Sequence, residues 1–229
     1  MSRDPNRSQT NAFFQRAAFL SAAADLAATP PDSGHEVAFA GRSNAGKSSA
    51  INALCHQKAL ARTSKTPGRT QQLIFFRLDD ERRLVDLPGY GFARVSLTIK
   101  HQWQALMERY LEQRDSLKGL VVMMDIRHPL TAIDQQMIGW GSAAELPLLL
   151  LLTKADKLKR GATERSLRDV RKALASTPVP LEVLAFSAVT RVGLEATQAR
   201  VSEWLELAEP EAERDRSGAS ALPANHRAR

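Results

Sequence analysis

The sequence contains a single cysteine, Cys55, among its 229 residues. One thiol cannot close an internal disulfide, and zinc sites built on cysteine need several thiolates, so neither is expected. We predict that Cys55 is a core residue. The histidines His56, His101 and His128 have no metal-ligand spacing either, so we expect no zinc site.

Long apolar runs are also missing. The longest, residues 146–152, is interrupted by Pro147 and has the length of a strand, not of a membrane-spanning helix. Residues 1–10 are polar, and the short apolar stretch after them contains Arg16 and Asp25, which is unlike a secretory signal. We therefore predict a cytoplasmic protein without a membrane span.

The remaining composition is ordinary, with 43% apolar and 25% charged residues, and it fits one domain with a sizeable core. The net charge of +7 is concentrated, because residues 41–110 contain twelve Lys or Arg against five Asp or Glu. Such an excess suits a surface that binds a polyanion, and it also fits ordinary solvated charge. Composition leaves both interpretations open.

Both ends of the chain lack a hydrophobic period. We predict that residues 1–11 and 209–229 are disordered tails and that residues 12–208 form one domain. Within the domain, short β-rich runs alternate with amphipathic stretches. The predicted strands are 36–40, 72–78, 83–87, 119–126, 147–153 and 181–186, and the predicted helices are 47–55, 98–114, 131–144, 163–175 and 193–207. This alternation predicts a three-layer α/β fold with a mostly parallel, six-stranded sheet, whose ligands bind beyond the carboxyl ends of the strands.

A phosphate loop follows the first predicted strand. Residues 41–48 match the pattern G-x-x-x-x-G-K-[ST] and lead at once into a helical stretch. Glycines let the backbone wrap around a phosphate, so that N–H groups and a helix N-terminus point at it. Lys47 would reach the outer phosphates, and Ser48 would bind Mg²⁺. The predicted loop consists of Gly41, Arg42, Ser43, Asn44, Ala45, Gly46, Lys47 and Ser48.

A second fragment ends the predicted strand 83–87 and comprises Asp86, Leu87, Pro88 and Gly89. Asp86 would hold a water molecule on Mg²⁺, and the Gly89 N–H would sense the γ-phosphate.

A third fragment points to guanine. The most apolar predicted strand ends at Thr153, Lys154, Ala155 and Asp156. The Asp156 carboxylate can accept hydrogen bonds from guanine N1–H and the 2-amino group, which adenine lacks as a pair, so GTP is favoured over ATP. The Lys154 stem would cover the base. After the last strand, the segment Phe186, Ser187 and Ala188 can offer a backbone N–H to guanine O6.

At these residues the chain resembles the translation-factor-like class of small GTPases. Four segments narrow the resemblance to the EngB (YihA/YsxC) family, namely 39–44 (FAGRSN), 63–71 (TSKTPGRTQ), 86–91 (DLPGYG) and 125–130 (DIRHPL). The similarity runs from about residue 14 to residue 207. It implies a bacterial GTPase that binds GTP and GDP with Mg²⁺, is needed for normal cell division and septation, and is associated with assembly of the large ribosomal subunit.

The resemblance also selects the threonine that closes on Mg²⁺ and the γ-phosphate. From the residues alone it could be either Thr66 or Thr70, and the family pattern points to Thr70. The nucleotide-binding residues expected in this segment are Gly68, Arg69, Thr70, Gln71 and Gln72.

The sequence offers several candidate residues for GTP hydrolysis. Efficient GTPases often orient the attacking water with a glutamine just after D-x-x-G, whereas this chain has Tyr90, so we predict slow intrinsic turnover. Lys47, Thr70 and Asn44 are the candidate catalytic residues. Asn44 resembles the asparagine of GTPases that use K⁺, and a turn-forming residue fits the same position. Arg69 or Arg94 is an alternative source of positive charge.

Two other functions compete with a ribosome-associated GTPase switch. One is a P-loop ATPase or kinase, and the other is a septum-associated interaction protein that only binds nucleotide. We expect a monomer in each case.

Overall fold

The computed structural model describes residues 5–61, 72–90 and 97–207. In these ranges a seven-stranded sheet has the order β1-β3-β4-β2-β5-β6-β7. Strands β1, β3 and β4 pair antiparallel, whereas β4, β2, β5, β6 and β7 run parallel. The strands are β1 Ala18–Ala23, β2 His35–Gly41, β3 Leu73–Arg77, β4 Arg82–Asp86, β5 Leu117–Asp125, β6 Leu148–Thr153 and β7 Leu181–Ala185.

Helices cover both faces of this sheet. One face packs on α1, α2 and α6 and the other on α3, α4 and α5, with a separate apolar cluster on each side. Because both faces are covered, the central strands β5 and β6 are apolar almost throughout. The three-layer α/β fold is therefore confirmed. The helices are α1 Pro5–Gln15, α2 Lys47–Leu54, α3 Leu97–Gln113, α4 Ala132–Ala143, α5 Arg160–Ala173 and α6 Leu194–Trp204, and Ala155–Lys157 forms a 3₁₀ turn.

The six predicted strands are all present, within one or two residues at each end, and β1 is a seventh that the sequence analysis missed. Its sequence AFLSAA has no β-branched residue, so propensity gives little signal there. It forms the edge of the sheet and pairs only with β3, with an irregularity in register between Phe19 and Ser21.

The predicted N-terminal tail is wrong for residues 5–11, because these residues belong to α1. Tertiary contacts hold this polar helix in place. The Phe14 side chain is fully buried, and His56 Nε2 lies 2.8 Å from Asn11 Oδ1. Such distant partners leave no local sequence signal. The predicted C-terminal tail, 209–229, lies outside the described residues.

Cys55 is the C-cap residue of α2 and is buried, as predicted for a core residue. Burial raises the pKa of its thiol to about 12. A thiol with such a pKa is protonated at neutral pH and chemically inert. None of the helices in the described ranges is both long enough and apolar enough to cross a membrane.

A buried ionic cluster fixes β2, the strand that leads to the phosphate loop. The Glu36 side chain is fully buried and accepts hydrogen bonds from Tyr110 Oη at 2.8 Å and from Arg114 Nη2 at 2.7 Å. Arg83 Nε on β4 lies 3.2 Å from Glu36 Oε1. The cluster lies at the start of β2, at the opposite end of the strand from the loop, and ties β2 to β4 and to the end of α3.

Candidate nucleotide-binding site

The predicted site residues of the described ranges converge at one edge of the sheet. The parallel strands β2, β4, β6 and β7 end there, so their carboxyl ends carry the phosphate loop, Asp86, Thr153 and Ser187, respectively. This edge is where open α/β sheets bind ligands.

Two glycines shape the phosphate loop between β2 and α2. Gly46 has φ of +92° just before the helix begins at Lys47, and glycine adopts that conformation without steric cost. A Cβ atom at Gly41 would lie 3.1 Å from the Met123 carbonyl oxygen on β5, so the neighbouring strand leaves little room for a side chain. Asn44 is exposed and also left-handed, with φ of +65°.

The loop is held by hydrogen bonds from neighbouring strand ends. The Ser43 N–H donates to the Tyr90 carbonyl at 2.8 Å, and Lys154 Nζ donates to the Asn44 carbonyl at 2.7 Å. The Thr153 hydroxyl donates to the Ala45 carbonyl at 2.5 Å. The loop is therefore braced on both sides, by the segment after β4 and by the end of β6.

Lys47 and Asp86 form an ion pair at the centre of the site. Lys47 Nζ contacts Asp86 Oδ1, and their side chains are only 11% and 12% exposed. Ser48 follows Lys47 in the first turn of α2. In the fragment that begins at Asp86, Leu87 and Pro88 are buried and Gly89 is partly exposed. The pair places the cation predicted to bind phosphate beside the carboxylate predicted to hold a metal-bound water.

The oxygen atoms of Ser48 and Asp86 are chemically suited to Mg²⁺, which prefers hard oxygen ligands. In the described part of the chain no group of three or more His, Cys, Asp or Glu side chains could hold a metal by itself. Mg²⁺ in nucleotide sites is held by one or two protein ligands together with phosphate oxygens and water. The residues present therefore fit a magnesium ion that arrives with a nucleotide.

Asp156 and Ser187, the residues predicted to bind the base, lie in contact with each other beyond the ends of β6 and β7. Ser187 Oγ donates to Asp156 Oδ1 at 2.7 Å and accepts the Val189 and Thr190 N–H groups at 3.2 and 3.1 Å. The hydrogen bond from Ser187 is the main cause that holds the pKa of Asp156 below its ordinary value. Asp156 is therefore a carboxylate at neutral pH, as an acceptor for guanine must be. The Ala155 N–H donates to the Phe186 carbonyl at 3.0 Å, which joins the backbone beside Asp156 to the backbone beside Ser187. Ala188 is partly buried.

Asp125, the last residue of β5, is a contact residue of the site that no motif assigned a function. Arg127 donates to both of its oxygens, with Nη2 at 2.6 Å and Nε at 2.9 Å, and Lys154 Nζ donates at 3.0 Å. Arg127 is the main cause that holds the pKa of Asp125 far below its ordinary value. Lys154 has a left-handed backbone, with φ of +60°. The Asp125 carboxylate and the Asn44 carbonyl hold its amino group and so fix where its stem runs. The segment 125–130 was the only sequence signal for this contact.

Beside the loop lies a cleft of about 290 Å³ lined by Arg42, Asn44, Asp125 and His128, among others. His128 is exposed. Tyr90, at the position where many GTPases have glutamine, is only 1% exposed. Its ring packs 5.9 Å from that of Trp103.

Part of the predicted site lies outside the described residues. This part comprises Gly68, Arg69, Thr70, Gln71 and Arg94, whereas Gln72 is described and immediately precedes β3. Thr70 as the closing threonine therefore stays a prediction.

Comparisons with known proteins identify the family. A family model described as 50S ribosome-binding GTPase matches residues 36–154. GTP-binding protein EngB of Idiomarina loihiensis is 53% identical over 191 residues, which is 83% of this chain and 93% of that protein. GTP-binding protein EngB of Shewanella denitrificans is 54% identical over 195 residues, which is 83% of this chain and 89% of that protein.

The fold agrees as well. A crystal structure of a GTP-binding protein EngB matches with a TM-score of 0.61 at 22% identity and covers 75% of this chain and 98% of that chain. The family expected from the four sequence segments is confirmed by the curated relatives. The chain belongs to the EngB family of GTP-binding proteins and is a P-loop GTPase.

Proposed function

We propose that this GTPase is a GTP-driven switch that binds the large ribosomal subunit and contributes to its assembly. Its effect on cell division and septation would follow from that activity. The observation that carries the proposal is the placement of a phosphate-binding end, Lys47 and Asp86, and a base-binding end, Asp156 and Ser187, along one sheet edge. The match to a family described as 50S ribosome-binding GTPase supports the choice of partner.

Recognition of the nucleotide is divided between these two ends. The ionised Asp156 carboxylate would accept from guanine N1–H and the 2-amino group, and the loop N–H groups would surround the phosphates. Lys154, anchored at 2.7 Å to the Asn44 carbonyl, joins the ends mechanically. A P-loop ATPase or kinase is disfavoured, because adenine offers Asp156 no matching pair of donors.

Mg²⁺ would be held by Ser48 directly and by Asp86 through a water molecule, with Thr70 as the proposed third ligand. When bound, Mg²⁺ neutralises charge on the β- and γ-phosphates. The Lys47–Asp86 ion pair keeps both groups at the place where nucleotide and metal would meet. Lys47 would then exchange its carboxylate partner for phosphate oxygens.

Tyr90 is unsuited to orient the attacking water, because its side chain is almost fully buried against Trp103. We therefore expect slow intrinsic hydrolysis. Lys47 stabilises charge on the outer phosphates, and Thr70 would hold the γ-phosphate end closed. Two sources of further charge remain candidates, namely K⁺ bound with the help of Asn44 and an arginine such as Arg69 or Arg94. Hydrolysis rates in K⁺ and in Na⁺ at equal ionic strength distinguish them, since only the first depends on K⁺.

Sedimentation with purified large ribosomal subunits tests the switch. The protein is mixed with subunits in GDP and in a non-hydrolysable GTP analogue, at two salt concentrations. We expect binding to be stronger with the analogue and to weaken as salt rises, because phosphate contacts release counterions. Asp156→Ala serves as the control that lacks guanine recognition, and its binding should not respond to either nucleotide.

Equal binding of the parent protein in both nucleotide states would overturn the switch. Failure to bind subunits in any state would instead favour a septum-associated protein that binds nucleotide without a ribosomal partner. No specific observation on the described residues favours the septum-associated protein.

A further inference from the structure

Helix α5, Arg160–Ala173, carries five Arg or Lys residues and only two acidic residues. Leu167 and Val170 are its buried side chains, and they pack into the apolar cluster beneath α5. Arg171 adds a hydrogen bond of 2.7 Å from Nη2 to the Val183 carbonyl on β7. One side of α5 is therefore fixed on the last strand of the sheet.

The opposite side of α5 carries a row of cations, Arg165, Arg168 and Lys172, which we name the basic stripe. All three are exposed. With 3.6 residues in each turn, positions i, i+3 and i+7 lie within about 60° of one another around the helix axis. They are separated by about 4.5 and 6 Å along the axis. The stripe therefore faces directly away from the buried side chains.

The stripe is not neutralised by neighbouring carboxylates. Glu164 and Asp169 have the i,i+4 spacing that would allow pairs with Arg168 and Arg165. In the described ranges, however, no carboxylate lies within 4 Å of a cation of the stripe, although such pairs occur elsewhere, as between Arg200 and Glu182 at 2.8 Å. Its full charge is available to an external partner.

Arg165 and Arg168 do not serve the folding of α5, whereas Lys172 lies in the last turn, where a cation favours the helix dipole. Like charges at i,i+3 and i,i+4 repel each other along a helix. Lys159 and Arg160 stand at the N-terminus, where cations oppose the helix dipole, and the first turn contains no acidic residue. A helix with this pattern is less stable alone than one with mixed charges, which suggests that the cations act on something outside the chain.

We propose that the basic stripe of α5 binds the phosphate backbone of double-helical RNA, independently of the nucleotide held in the GTP site. Arginine matches phosphate geometry through its planar fork, and a straight row of cations suits a regular line of phosphates. A membrane surface fits less well, because a helix that lies on a bilayer inserts an apolar face. In α5 that face, with Leu167 and Val170, is already buried against the sheet.

The inference deepens the proposed function and rests on it for the origin of the RNA, the large ribosomal subunit. The switch and the basic stripe differ in whether their binding depends on the bound nucleotide. The switch requires binding that depends on GTP, whereas the stripe lies on a helix fixed to β7 through Leu167, Val170 and Arg171. Its contribution should be the same in GDP and in a GTP analogue.

The test measures binding of the full-length protein to a fluorescent RNA duplex of about 20 base pairs, from 50 to 200 mM salt. The stripe variant is Arg165→Gln, Arg168→Gln, Lys172→Gln. The matched control is Arg16→Gln, Lys58→Gln, Arg109→Gln, which removes the same charge from exposed positions elsewhere. Circular dichroism and GDP affinity should be unchanged in both variants, because exposed charges contribute little to stability.

The slope of log K against log salt should fall by about 2.7 in the stripe variant, at about 0.9 for each lost duplex phosphate contact. The ratio of parent to variant affinity should then shrink about 40-fold between 50 and 200 mM salt. The control should keep the parent slope, and GDP and the GTP analogue should give the same difference between parent and stripe variant.

Equal slopes for the stripe variant and the control would overturn the inference, whatever the ribosomal subunit binding shows. Two further probes examine other partners. Tight binding to vesicles of anionic phospholipid that depends on the stripe, or displacement of the duplex by polyglutamate as readily as by unlabelled RNA, would also overturn it. Loss of nucleotide dependence in subunit binding, with the slope difference intact, would overturn only the switch.

Discussion

The hydroxyl of Thr153 lies 2.5 Å from the carbonyl oxygen of Ala45, and both residues are almost fully buried. This hydrogen bond joins the end of β6, which leads to Asp156, to the middle of the phosphate loop. A buried carbonyl without a partner is costly, so the bond selects one conformation of the loop. The two ends of the nucleotide site are thereby held in a fixed relation before any ligand binds.

Thr153→Val tests this relation, because valine keeps the shape and removes the hydroxyl. We expect a loss of about 1–3 kcal/mol in the free energy of unfolding, since the Ala45 carbonyl loses its partner in a buried place. GDP affinity should also fall. Urea unfolding and GDP titration measure the two effects. Thr153→Ser keeps the hydroxyl and should stay close to the parent, and a Thr153→Val protein with unchanged GDP affinity would contradict the coupling.

A second prediction concerns guanine selectivity through Asp156. Asp156→Ala removes an ionised, bidentate acceptor and should weaken GDP binding by about 2–4 kcal/mol, or about 30- to 1,000-fold. Isothermal titration with GDP and ADP measures both affinity and selectivity. Glu164→Ala, which removes an exposed carboxylate from α5, is the control and should bind GDP as the parent does. If Asp156→Ala also binds GDP normally, Asp156 does not contact the base.

The sequence was sufficient for the phosphate loop and six strands because each leaves a local pattern. Gly41, Gly46, Lys47 and Ser48 stand at fixed spacing, and buried parallel strands are apolar throughout. Helix α1 escaped prediction because it is held by partners more than forty residues away, such as His56 for Asn11.

The contacts that set the site are also hidden from sequence. The hydroxyl of Thr153, a residue of the predicted guanine-binding fragment, donates to the loop carbonyl of Ala45, 108 residues earlier. Asp125 received no function, although it positions Lys154 at 3.0 Å. Both depend on which strands are neighbours in the sheet, and a single sequence does not encode strand order in any local pattern.

A third prediction separates binding from folding at the Lys47–Asp86 pair. Lys47→Ala should abolish tight binding of GTP with Mg²⁺, and it should also destabilise the protein by about 3–5 kcal/mol because Asp86 is left buried and unpaired. Adding Asp86→Asn removes the uncompensated charge. The double variant should therefore recover much of its stability without recovering GTP binding.

Urea unfolding and GTP titration follow the two variants. Ser48→Ala is the comparison that leaves the ion pair in place and should lose Mg²⁺-dependent binding. If the double variant binds GTP normally, Lys47 does not act on phosphate. If it is no more stable than Lys47→Ala, the pair does not set the stability of this region.

A fourth prediction concerns the buried cluster at the start of β2. Glu36→Gln leaves the buried Arg83 without its carboxylate and leaves Arg114 with only Asp32 at 3.5 Å. It should lower the free energy of unfolding by about 3–5 kcal/mol. Tyr110→Phe removes one hydrogen bond of 2.8 Å to the same carboxylate and should cost less, about 1.5–3 kcal/mol. GDP affinity should hardly change at temperatures where the variants are folded, because the cluster lies at the far end of β2. A large loss of GDP affinity in folded Tyr110→Phe would contradict that separation.

The last prediction is a dependence of stability on pH that comes from His56. His56 Nε2 lies 2.8 Å from Asn11 Oδ1 and links α1 to the end of α2. Burial, followed by the nearby cations Arg191 and Arg7, lowers the pKa of His56 below its ordinary value.

In the unfolded chain His56 regains a pKa of about 6.5, so below that pH the unfolded state binds the proton more readily than the folded state. The stabilising effect is therefore present above about pH 6.5 and is lost as the pH falls below it. Urea unfolding at pH 7.5 and 5.5 should show lower stability at pH 5.5. His56→Gln, which keeps a donor for Asn11 and cannot titrate in this range, should reduce the difference, whereas His128→Gln at an exposed position should not. An unchanged pH difference in His56→Gln would assign the effect to another group.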